Sequence, residues 1–397
     1  MATMVEMIVD GVGTAVSMSD ADGDCSGIST SSLMEDSIRD QINVMLHQEM
    51  DYYPPSMSCQ SKLFNERCSR CPSSSSSSSS SIKWSDAKKI RMRMTEWAYA
   101  VVDSFCYNRV VVAVCLNFVD RYTTAILEEG VSTITRQSYQ GIFVVALYVA
   151  LKLEGSSRED DAATMMSASG GRRPPSPPSA INISSTTFAN LSRGMLTMKK
   201  VEAEERQMMS KLRYRLNPPV FGTYVEYFIL FLIKPNALQI NPFLEMDSIT
   251  TDAMHFTFEV ARYLTELATF NVNLTTKCRP SCVAAASILY ALCYLRQKMG
   301  NANIPQNVSA AFESNILRFL SANANKTNND PAADIRFARA ELQEICPPQT
   351  LDAWPGGWPS SLCRSSNDEE PPKDQILPNA ASQAPDSPLG VADAELM

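Results

Sequence analysis

Histidine is nearly absent: the 397 residues hold two, His47 and His255, and neither stands in a constellation of acid, base and nucleophile. Imidazole-based acid–base or nucleophilic catalysis is thereby argued against, and no activity of the chain's own is expected. A basic cluster is missing too, since 35 Lys and Arg against 43 Asp and Glu leave a net charge of -8. Nucleic-acid binders usually carry a basic domain, so no nucleic-acid partner is expected. The opening MATMVEMIVDGVG lacks the basic n-region of a secretory or transit peptide. The thiols should therefore stay reduced, and Cys106, Cys115, Cys282 and Cys293, set in apolar runs, read as small buried hydrophobes. The greasiest stretches, Gly141 to Leu151 and Phe228 to Ile233, fall well short of the roughly 20 residues that span a bilayer. They read as core helices, with no membrane partner. A zinc site would need four ligands, whereas Cys59, Cys68 and Cys71 of the CSRC segment could recruit a fourth only from His47 or a distant Cys. Free linker thiols are favoured, with no metal and no cofactor.

What is present is helical periodicity, with no period-2 alternation bounded by hairpin turns. Residues 1–32 are small, acidic and aperiodic, and read as disordered. An N-terminal helix is expected over 33–55, with Ile38, Ile42, Met45 and Leu46 on one face. A Ser-rich linker follows over 56–84. A first helical unit spans 85–217, interrupted by a flexible Ser, Gly and Pro insertion at 155–180. In it, Ile90, Met94, Trp97, Val101 and Phe105 recur every three or four residues, whereas 108–125 and 135–153 are apolar nearly all round and belong inside a bundle. A second helical unit covers 218–346, and 347–397 reads as a disordered tail. The fold class expected is all-α, two five-helix units in tandem.

The apolar run RVVVAVCLNFV ends in Asp120 and Arg121. Asp120 shares a helix face with Leu116 and Ala113, and a carboxylate turned inward needs a partner. Arg121, its neighbour, cannot turn back to it, whereas Arg91 on the preceding amphipathic helix can, and a guanidinium fork matches a carboxylate with two hydrogen bonds. The alternative is that Asp120 and Arg121 both fray outward at a helix end.

The segment IRMRMTEW, Ile90 to Trp97, resembles the opening helix of a cyclin box. Arg91, Trp97, the Asp120-Arg121 pair, Gln140 and ALKLE (150–154) fall at that family's spacings. KKVEAEERQMMSKLRYRLNPP is similar to the fifth helix and the exit into a second box, and 262–292 to the centre of a C-terminal box. This resemblance implies tandem five-helix cyclin boxes and a buried structural ion pair between Arg91 and Asp120. It implies a regulatory subunit that binds and activates a cyclin-dependent protein kinase in cell-cycle and cell-division control, holding the kinase's mobile helix so that its Glu reaches the ATP-orienting Lys. Lys152 and Glu205 match the kinase-contacting pair, with Glu202 and Glu204 close enough to leave the register open. Val149, Leu153, Met209 and Leu216 match the apolar contacts around it. From the residues alone, Lys152 reads equally as a solvated helix end and Glu205 as part of a solvated charged face.

Ile90, Met94, Trp97 and Gln140 match the groove that docks Arg-x-Leu peptides of kinase substrates or inhibitors. Arg93 stands there for an aliphatic residue and Ala100 for an acid, so basic peptides should dock weakly or with altered specificity. Ser176 and Ser387, each before a proline, are candidate phosphosites or plain parts of Pro-rich spacers. No KEN sequence or convincing Arg-x-x-Leu box precedes the first unit, and Arg213 to Leu216, which fits the minimal box, is expected at a buried helix end. The acidic tail segment SSNDEEPPKD offers another route to turnover. Localisation in nucleus and cytoplasm follows from the resemblance. A cyclin-fold scaffold or transcription adaptor without kinase activation is the alternative function.

Overall fold

In the computed structural model, the residues described are 30–53, 84–130, 134–168, 183–233, 248–299, 306–324 and 330–352, and every regular element among them is a helix. The chain divides after Arg39, and of the smaller unit only the start of α1 (Thr30–Tyr52) is described. Both helical bundles lie in the larger unit, from Asp40 onward.

The first bundle holds α2 (Trp84–Ser104), α3 (Val110–Glu128), α4 (Arg136–Ala168), α5 (Ser185–Leu191) and α6 (Met198–Lys211). Its centre is α4, where every residue from Ile142 to Leu151 is buried, because α2, α3, α5 and α6 all pack on it. Such a helix cannot show an apolar stripe, since no side of it faces water. Each fully buried Val, Leu or Phe contributes about 1.5–3 kcal/mol relative to exposure. Hydroxyls start the next two helices: Ser184 accepts from the Thr187 amide, and Thr197 from that of Lys200. Each such cap is worth about 1 kcal/mol. After α6, Arg213 and Tyr214 take left-handed backbone with φ of 53° and 56°, which turns the chain toward Pro218 and Pro219.

The second bundle comprises α7 (Phe221–Ile233), α8 (Ser248–Ala268), α9 (Val272–Lys277), α10 (Pro280–Met299), α11 (Gln306–Ala324) and α12 (Pro331–Ile345), with a short α13 (Pro348–Asp352) after it. Here α10 is central and packs against α7, α8, α11 and α12. Its run of Ala284, Ala285, Ala286 and Ser287 is wholly buried, and small side chains allow that close approach.

Several expectations are corrected. The insertion is helical in its first half, for α4 runs on to Ala168. One glycine, Gly155, costs a helix about 1 kcal/mol, and the Arg, Glu, Ala and Met after it are good helix formers. The real breakers, Gly170, Gly171 and Pro174, come later. The tail begins in order: α13 buries Leu351, and Asp352 accepts a 2.7 Å bond from the Tyr294 hydroxyl. Cys106 is exposed, in a turn with φ of 56°, and Cys293 is half-buried. The Arg213–Leu216 segment is exposed except for half-buried Leu216, since the left-handed turn lifts it off the bundle and leaves Tyr214 72% exposed. By length and composition α3 could cross a membrane, although neither apolar run singled out in the sequence includes it. Its apolar side chains pack on the bundle instead, Val111, Leu116 and Phe118 buried and Val114, Ile126 and Leu127 half-buried. Cys59, Cys68, Cys71, Ser176 and Ser387 lie outside the described residues.

Candidate partner-binding face

Asp120 points inward from α3 and meets Arg91 of α2. The guanidinium donates Nη1 to Oδ1 at 2.5 Å and Nη2 to Oδ2 at 2.9 Å, with side-chain exposures of 1% and 13%. Burial alone would lower the Arg91 pKa, but Asp120 and Tyr139 together more than reverse it, and the arginine stays charged. The same Nη2 reaches Thr275 of the second bundle at 3.3 Å. The staple therefore joins α2, α3 and α9, one element more than the sequence implied. Tyr99 and Arg109 extend this seam. The Tyr99 hydroxyl lies 3.1 Å from that of Thr269, its ring stacks on Phe270 at 5.5 Å, and Arg109 bridges Asp103 and Glu266 at 2.7 Å each.

Lys152 on α4 and Glu205 on α6 come together, Nζ to Oε1 at 2.7 Å. The hydrogen bond to Glu205 raises the Lys152 pKa, and the ammonium also sits 5.4 Å from the Tyr148 ring centre. The lysine is 51% exposed and the glutamate side chain 11%, so the pair is a cation at the surface seated on a sunken carboxylate. Its neighbours separate cleanly: Glu202 accepts from Ser185 at 3.0 Å, and Glu204 faces Tyr122, whose pKa is pushed up to about 12 by burial first and by that carboxylate second. Leu153, next to Lys152 on α4, and Met209, one turn after Glu205 on α6, are half-buried, as is Leu216 beyond the end of α6. Val149 is not. It is fully buried in the centre of α4, a correction with a plain cause, since one turn of an enclosed helix separates it from the surface end that carries Lys152. Tyr214, exposed beyond the end of α6, was not singled out in the sequence.

Ile90 and Trp97 are half-buried along α2, Gln140 is half-buried on α4, and Met94 is buried in the core. Arg93 and Ala100 are exposed on either side of Trp97. Among the described residues no group of His, Cys, Asp and Glu is placed to hold a metal ion.

Arg121 was also missed as an organising residue. It donates to the carbonyls of Arg215 at 2.8 Å and Leu212 at 3.1 Å, and lies 4.7 Å over the ring of Tyr53. Arg215 in turn lies 4.1 Å over Tyr52. The end of α1 thus grips the turn after α6. The signal was available: a charge next to an inward Asp on an apolar helix needs a partner on another face.

The sequence profile of "Cyclin, N-terminal domain" matches residues 61–217, and that of "Cyclin, C-terminal domain" matches 239–322. The chain belongs to the cyclin family. This cyclin is also similar to two solved structures at low identity. One is a viral cyclin from herpesvirus saimiri, 15% identical, covering 59% of this chain and 86% of that one with a TM-score of 0.34. The other is the CAK complex of Chaetomium thermophilum bound to ATP-γ-S, 13% identical, covering 80% and 90% with a TM-score of 0.36. No curated protein sequence matches at a significant level. The assignment rests on the two domain matches, in order along one chain.

Proposed function

We propose that this cyclin binds a cyclin-dependent protein kinase through the face around Lys152 and Glu205 and activates it, in control of the cell cycle. Members of the family are regulatory, non-catalytic subunits. The observation that carries the reading is the meeting of Lys152 and Glu205 at 2.7 Å where α4 and α6 adjoin. An ammonium has three N–H donors and the pair engages one, so Lys152 can hold Glu205 and still donate to a partner helix. Half-buried Leu153, Met209 and Leu216 supply apolar area beside that charge, the mixture expected at the centre of a binding patch. A kinase helix held here would keep its Glu in register with the ATP-orienting Lys, the pairing that phosphoryl transfer requires. The test is capture of a kinase by the full chain, followed by a phosphorylation assay. Lys152→Ala and Glu205→Ala should each weaken capture and activity together. Capture of a kinase without activation would favour the scaffold or adaptor reading instead.

The docking groove on α2 belongs to the same proposal in altered form. Arg93, exposed one turn before Trp97, should repel the Arg of an Arg-x-Leu peptide. A standard peptide binding at micromolar affinity or better, lost in Trp97→Ala, would overturn this. Residence in nucleus and cytoplasm is part of the proposal and is checked by imaging the tagged chain.

A further inference from the structure

Glu49 is 1% exposed near the end of α1, on the same face as Ile42, Met45 and Leu46. The Ser281 hydroxyl donates to its Oε1 at 3.0 Å, while its Oε2 is buried without a hydrogen-bond partner. Across from it stand the Tyr224 hydroxyl of α7 and the Nη2 of Arg279, both buried and likewise unpartnered. Arg279 is engaged elsewhere: its Nε donates at 3.2 Å to Asp334 of α12. The guanidinium is thus already paired with Asp334, and an ionised Glu49 would be a carboxylate out of water with no ion pair of its own. A buried carboxyl in that position takes a proton rather than stay bare.

One turn further on, α1 ends in the tyrosines whose rings meet Arg215 and Arg121. The seat of this helix on the second bundle and its grip on the turn after α6 are thus one mechanical unit. We propose that Glu49 is a proton-operated latch: protonated, it seats the end of α1 against α7 and α10; ionised, it loosens that seat and the tyrosines' hold on the Arg213–Leu216 turn.

The direction is set by burial, which pushes the Glu49 carboxyl from 4.5 up to about 7, with Tyr224, Arg279 and Ser281 pulling the other way. Because the seated state holds the proton more tightly, its advantage is complete below about pH 4.5 and is lost as pH rises toward 7. Over that window the seat should weaken roughly a hundredfold. The groups facing the carboxyl do not account for the window. Burial raises Tyr224 and Cys282 well above it, and Arg279 remains charged. Asp334 acts as competitor for the guanidinium. On α1 itself, His47 and Asp51 form an exposed pair at 3.1 Å.

Hydrogen exchange of the full chain between pH 5 and 8, corrected for intrinsic rates, tests this without any kinase. Protection over residues 42–53 should fall roughly tenfold per pH unit up to about 7 and then level off, while peptides from α10 stay constant. Glu49→Gln should make α1 protection independent of pH. Should that variant not fold, Asp334→Asn decides, since freeing Arg279 for Glu49 should move the window to lower pH. His47→Gln should leave the wild-type profile unchanged. Protection that is level or rises with pH in the wild type, a window unmoved by Asp334→Asn, or a profile abolished by His47→Gln would each overturn the proposal.

Discussion

Two buried clusters in this cyclin use the same chemistry in different proportions. In the first box one guanidinium, Arg91, faces one carboxylate, Asp120, and the charges cancel. In the second, the guanidinium of Arg279 is paired with Asp334, and Glu49, enclosed against the same bundle, has no ion pair of its own. The difference separates a fixed staple from a group that titrates. A balanced buried pair holds its geometry over the whole physiological range, whereas a carboxyl enclosed without an ion pair has its pKa raised by burial.

The comparison is most sharply broken at the staple. Asp120→Ala leaves Arg91 charged and enclosed, and should cost about 3–5 kcal/mol in denaturant unfolding. Replacing both partners by apolar residues of similar size should recover most of that, because the cost lies in orphaning a charge rather than in the pair's net worth. A loss under about 1 kcal/mol from the single variant would refute the enclosed staple. Arg279→Met should cost less, about 1–3 kcal/mol at pH 5, since Asp334 is a quarter exposed and Glu49 is neutral there. The cost should grow as pH rises toward 7, where Glu49 in the wild type begins to ionise and uses that cation. A pH-independent cost would mean that Glu49 carries no proton.

Smaller effects mark the edges of the comparison. Tyr53→Leu removes the ring beneath Arg121 and should cost about 0.5–2 kcal/mol, seen as faster exchange at the end of α1 with α10 unaffected. Arg109→Ala should cost at most about 1 kcal/mol, because that arginine is 44% exposed and its pairing with Asp103 is open to solvent. The small cost should shrink further in high salt, measured as the difference in unfolding midpoint between wild type and variant.

Much of the helical order was legible in the sequence, because a 3.6-residue rhythm needs only the identity of neighbouring side chains. The all-α class of both units and the inward turn of Asp120 came from that rhythm. It misled where composition imitated disorder. Ser-Arg-Glu-Asp-rich residues after Gly155 looked like a linker, yet they continue a helix already nucleated by the buried part of α4. Val149 looked available because its distance from Lys152 along the chain is short, while its exposure depends on four other helices. Glu49 gave no signal at all: in MLHQEMDYY it reads as one more solvated acid.

The sequence by itself determined that the chain is helical and that an inward Asp120 would need a cation, since these follow from periodicity and from the cost of a buried charge, while the pairing with Arg91 was implied by the cyclin resemblance. Only the tertiary structure decided that Thr275 joins the staple, that Arg121 and Arg215 hold two tyrosines, and that Glu49 is enclosed beside Ser281 while Arg279 pairs with Asp334. Those partners lie from 55 to more than 200 residues apart, and which charge ends beside which is fixed by how helices pack, a long-range outcome that no local pattern of side chains encodes.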